Sequence, residues 1–192
     1  MIPYGLSLAT VTTVGNSLGA NKPYEAVANC RMIACVTMGI TIFVALFMFS
    51  IKKPLIGLYS SNDSTDVADF AYGSFAVFLI AFIFDATQCN ASGVIKATGQ
   101  QCIASVCSLC CMLFVALPVG YFAAFGMDMG LSGLWIGYGA SAFCLALLYA
   151  KIITQLDWCK IAGEASTTDE TQYSTESTQE DDDYKRVYNT TE

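Results

Sequence analysis

At 192 residues, 55% hydrophobic and 13% charged, the chain has about half the charge density of a soluble domain, where about a quarter of residues are charged, and it reads as an integral membrane protein. Its net charge of −7 belongs to one end: nine of the sixteen acids lie between Glu164 and Glu192, with Lys185 and Arg186 the bases there, so residues 1–163 are neutral. The low charge therefore describes a tail and implies no charged macromolecular partner for the membrane part. No nucleic-acid partner or cofactor is expected, and without histidine, a nucleophile–base pair or a phosphate loop the chain does not read as an enzyme.

Residues 1–20, MIPYGLSLATVTTVGNSLGA, are apolar and rich in small residues, lack the basic start of a signal peptide, and read as the last part of a helix. Turn-forming residues from Gly19 to Pro23 follow, then apolar runs at 28–51, 69–96, 101–125 and 131–154, each longer than the about 20 residues that cross a hydrocarbon core. The expected fold class is thus all-α and integral to the lipid bilayer: a polytopic helical bundle of about four complete transmembrane helices plus one partial, over residues 1–160. Residues 161–192, dominated by Ser, Thr, Gln, Asp and Glu, predict a disordered acidic tail. Lys22, Arg31, Lys96, Lys151 and Lys160 fall on one side of the alternating spans and Lys52 and Lys53 on the other, which favours a cytoplasmic tail, with the plasma membrane as the expected location.

Asp85 is the only charged residue between Asp69 and Lys96. At about 1.5 Å per residue it lies roughly 22 Å from Phe70 and roughly 16 Å from Lys96 along a helix, deep in the second complete span. A carboxyl there is costly, faces a bundle interior or wet cavity, and marks ion or substrate pathways. The alternative is a carboxyl satisfied by a neighbouring helix with no transport role. Gln88, Cys89, Ser92 and Lys96 follow on the same helical stripe, so Asp85, Gln88 and Ser92 form the candidate ion-coupling and substrate cavity, with Gln88 and Ser92 equally suited to helix–helix hydrogen bonds.

Other signals carry less. The Cys107-Ser108-Leu109-Cys110-Cys111 cluster sits in an apolar span without a second ligand pair, so no metal site is expected. Gly133-x-x-x-Gly137 is a chance spacing or a dimer seam. Asn62 begins a glycosylation sequon, and Tyr184-Lys185-Arg186-Val187 has the form of a sorting signal. Trp135 and Trp158 read as interfacial anchors.

Pro3-Tyr4-Gly5, Val14-Gly15-Asn16-Ser17-Leu18-Gly19-Ala20, Gly93 through Gln101, Leu117-Pro118-Val119-Gly120, Gly133-Leu134-Trp135-Ile136-Gly137 and Leu156-Asp157-Trp158 occur in an order and spacing that resemble the multidrug and toxic compound extrusion (MATE) transporters. Pro3, Gly15, Asn16, Gly19, Gln101, Pro118, Trp135, Asp157 and Trp158 carry the resemblance, which covers residues 1 to about 160. It implies part of the second of two six-helix lobes around a central cavity. It also implies membership in an antiporter exporting organic cations or xenobiotics in exchange for H⁺ or Na⁺. Thr13 stands where the family commonly has Arg, and Asn21 where it commonly has Gly. Beside this fragment reading stand a short form that associates with a full-length transporter, and an unrelated four-helix channel or scaffold.

Overall fold

The computed structural model describes residues 2–59 and 65–167, which contain helices and turns. The helices are α1 (Ile2–Gly19), α2 (Pro23–Ser50), α3 (Lys52–Tyr59), α4 (Thr65–Ala97), α5 (Gln101–Cys111), α6 (Leu117–Tyr121), α7 (Leu131–Gln155) and α8 (158–167). Four stretches are long and apolar enough to cross a membrane: Pro23–Ser50, Tyr72–Ala97, Gln101–Gly126 and Leu131–Gln155. Phe43, Phe114 and Phe125 are each at least 70% exposed on these helices, a distribution that lipid, not water, accommodates. The chain is a multi-pass membrane protein.

Two turns share one device. Asn21 takes φ 54° after α1, where the Lys22 amide donates to the Ser17 carbonyl at 3.0 Å. Gly99 takes φ 77° after α4, where the Gln100 amide donates to the Ile95 carbonyl at 3.3 Å. Both are left-handed helix caps that return an amide to the last turn. Asn is among the few side chains that tolerate this conformation, which accounts for Asn21 where Gly is common. Pro23 then opens α2, at a first-turn position where a missing N–H costs nothing.

α4 is the central helix, packed against α1 and α2 on one side and α7 on the other, while α7 also carries α5 and α6. With lipid supplying little hydrophobic drive, small residues and interhelical hydrogen bonds hold the bundle. A side chain at Gly93 of α4 would meet the Ser7 carbonyl of α1 at 2.7 Å, and one at Gly133 or Gly137 of α7 would overlap the backbone of Ala124 or Gly120. The Gly133-x-x-x-Gly137 spacing is therefore an internal seam against the preceding helix. Asn90 Nδ2 donates to Thr37 Oγ1 at 2.7 Å (α4 to α2), Asn29 Nδ2 to Ser17 Oγ at 2.9 Å (α2 to α1), and Tyr149 OH to the Ala104 carbonyl at 2.7 Å (α7 to α5).

The third complete span is irregular. Two π turns, Met112–Ala116 and Phe122–Gly126, bracket α6. Pro118 has no N–H to give the carbonyl one turn back, and the amides of Leu117 and Met127 reach five residues back, to Met112 and Phe122.

The tail boundary differs from the expectation. Helix continues through 158–167, and Ala162 is fully buried against Val14, Leu18 and Ala26, with Trp158, Ile161 and Ala165 packed around them. Asp157 Oδ1 accepts the Lys160 amide at 3.2 Å, capping α8. Residues 161–167 thus belong to the folded body, because a capped apolar face repays their ordering. Asn62 and residues 168–192, including the Tyr184 pattern, lie outside the described residues.

Candidate functional site

The sequence places Asp85 in mid-helix on α4, and packing decides what it meets. Gly137 and Gly139, two residues and about 200° apart on α7, face opposite neighbours: Gly137 lies on Gly120 of α6, and a Cβ on Gly139 would sit 3.2 Å from that of Ala81 on α4. This close approach of α7 brings the intervening Tyr138 to Asp85. The phenol donates to Asp85 Oδ1 at 2.5 Å, and Gln88 Nε2 donates to the same oxygen at 3.0 Å from one turn along α4. Oδ2 has no hydrogen-bond partner among the described residues. Asp85 is half-buried, so its free oxygen remains within reach of a proton or small cation.

Aromatic rings line the approach. Trp135 lies 6.3 Å from Tyr138 at 86°, and Phe78 of α4 lies 4.7 Å from Trp135 edge to face. Phe78 also neighbours Phe75 and Phe82, with centroids at 6.0 and 6.4 Å. Near the start of α7, Trp135 is therefore part of an aromatic cluster leading to the acid, beyond the anchoring role read for it in sequence. Further along the α4–α7 seam the hydroxyls of Ser74 and Ser132 meet at 2.8 Å.

Of the sequence-derived cavity residues, Asp85 and Gln88 come together and Ser92 does not join them. Two turns further along α4, the Ser92 hydroxyl hydrogen-bonds Tyr149, whose own proton goes to Ala104. Tyr138 and Tyr149 were missed, although a phenol inside an apolar span must find an acceptor, and Asp85 is the acid at matching depth.

The family-motif residues are mostly architectural. Pro3 is buried at the start of α1, Gly15 and Gly19 line its small-residue face, and the exposed Asn16 supplies the carbonyl that receives the Ala20 amide at 3.0 Å. Gln101 opens α5, Pro118 lies between the π turns, Asp157 caps α8, and Trp158 packs beneath it. Among the described residues no three of Cys, Asp and Glu converge as a metal site.

A family model described as MatE matches residues 1–122. Multidrug and toxin extrusion protein 1 of Danio rerio is 28% identical over 175 residues, covering 86% of this chain and 28% of that protein. Protein DETOXIFICATION 14 of Arabidopsis thaliana is 32% identical over 168 residues, covering 85% of this chain and 33% of that protein. The crystal structure of the eukaryotic MATE transporter AtDTX14 superposes with a TM-score of 0.79 at 30% identity, covering 86% of this chain and 37% of that one. The chain thus spans about a third of the length of the relatives it matches.

Proposed function

We propose, from the premise that this chain belongs to the MatE family, that it is the C-terminal part of the second lobe of a secondary antiporter, exporting organic cations or xenobiotics against H⁺ or Na⁺, with Asp85 as a coupling carboxylate. Membership makes it a transporter-family chain, not an enzyme. The observation that carries the proposal is a mid-span carboxylate with both protein donors on Oδ1 and Oδ2 left open.

Such a carboxylate offers one place that either a proton or a cation takes. Mutually exclusive occupancy couples two fluxes through differential affinity alone. Because Tyr138 ties this carboxylate to α7, a change of occupant at Asp85 is felt at the α4–α7 seam. The aromatic approach through Phe78 and Trp135 suits an organic cation, which rings attract by their faces. The plasma membrane, with the Lys22 and α8 end cytoplasmic, fits the charge bias.

The test restores the missing upstream helices from a relative and measures efflux of a fluorescent organic cation under an imposed pH gradient, normalised to surface expression. Asp85→Asn keeps the shape and removes the exchangeable charge, so pH-driven efflux falls more than tenfold, while Asp85→Glu keeps part of it. Wild-type efflux with unchanged pH dependence in Asp85→Asn would overturn the assignment.

A further inference from the structure

α2 and α7 flank α4 without packing on each other, and between them runs a cavity of about 330 Å³. Its walls are apolar, with Ala34 and Met38 from α2, Val94 from α4, and Ala146, Ala150 and Ile153 from α7. It extends from Arg31 to Thr41 along α2, ten residues. At about 1.5 Å per residue that is roughly 15 Å, half of a hydrocarbon core about 30 Å thick. The groove therefore has the length of one leaflet's acyl chain.

Arg31 also lines a second cavity of about 740 Å³, with Tyr24, Val27, Leu156, Asp157 and Trp158. Tyr24 and Trp158 are side chains of the interfacial kind. The charges here are unbalanced. Lys22 pairs with Glu25 at 3.1 Å, Lys160 with Glu164 at 3.8 Å, and Asp157 is engaged as the α8 cap. Arg31, and Lys151 beside Ala150, have no ion-pair partner among the described residues.

We infer that this groove is a binding site for an anionic glycerophospholipid, one acyl chain lying between α2 and α7 and the phosphate on Arg31. An acyl chain fills an apolar slot that ends near mid-membrane, and a phosphate supplies what the unpaired guanidinium lacks. A second copy of the chain would have to bring a carboxylate into the same place. The site is independent of Asp85 and of the transport reading.

The purified 192-residue chain in lipid nanodiscs, with chain-spin-labelled phosphatidylglycerol or phosphatidylcholine as probe, tests this by the immobilised fraction of each lipid. The wild type should prefer the anionic lipid about fivefold, the effect of one base near the headgroups. Arg31→Gln should bring the ratio to about one with retention otherwise intact. Ala34→Phe, an exposed position that fills the groove, should reduce retention of both lipids, whereas Lys53→Gln at the other end should change neither. Equal binding of the two lipids by the wild type would overturn the site, as would a preference that survives Arg31→Gln, retention unaffected by Ala34→Phe, or native mass spectra showing a dimer in place of bound lipid.

Discussion

Tyr138 and Asp85 are 53 positions apart in sequence and joined by a 2.5 Å hydrogen bond, the polar fastening between α7 and α4 at the depth of the intramembrane acid. Removing the hydroxyl while keeping the ring isolates that bond. Tyr138→Phe should cost roughly 0.5–1.5 kcal/mol in detergent unfolding, within the range for hydrogen bonds between membrane helices. In an Asp85→Asn background the cost should shrink, a coupling that a double-mutant cycle reads directly. Strictly additive costs would separate the two residues energetically.

The α7 glycines divide by what a side chain would meet. Gly137→Leu would drive into the backbone of Gly120 and should cost about 3 kcal/mol or more, or prevent folding. Gly39→Ala, with no heavy atom within 4 Å of the new carbon, should be neutral or gain up to about 1 kcal/mol from reduced chain freedom. Thermal unfolding of the two variants decides; equal tolerance would remove the seam.

Loss of the α8 cap should be local. Asp157→Ala should cost about 1 kcal/mol and speed amide exchange over residues 158–167 while leaving that of α4 and α7 unchanged. Asp157→Asn, which retains the acceptor oxygen, should keep most of the protection.

Reconstituted alone, the chain should carry no organic-cation flux above empty vesicles, because it spans only about a third of the relatives it matches. In the same vesicles, single cysteines at Lys22 and Gly163 should be labelled from one face. Labelling from opposite faces would contradict α1, α2 and α8 meeting at one end.

The spans were legible because an apolar run long enough to cross lipid has few other uses, yet their starts were not. The apolar run begins at 28, but α2 begins at Pro23, since helix geometry extends into the interface beyond the part that hydropathy registers. Asp85 with Gln88 was legible because residues three apart share a helix face. Ser92 shares that face too, but lies two turns away beside another tyrosine, and a stripe in sequence does not say where one neighbour ends and the next begins. Tyr138 belongs to a different helix, and its role depends on how closely Gly139 lets α7 approach Ala81. Asp157 shows the converse: a motif residue whose place in the structure is a helix cap.

The π turns beside Pro118 have a consequence for length variation. Deleting one residue from Met112–Ala116, a frameshift most helices would not survive, would here regularise the winding. The same deletion would rotate everything after it by about 100°, carrying Gly120 off Gly137 and presenting a side chain to the narrowest contact in the bundle. The surplus residue thus acts as a phase-setter: it spoils the local spiral so that the correct edge of the next turn meets α7.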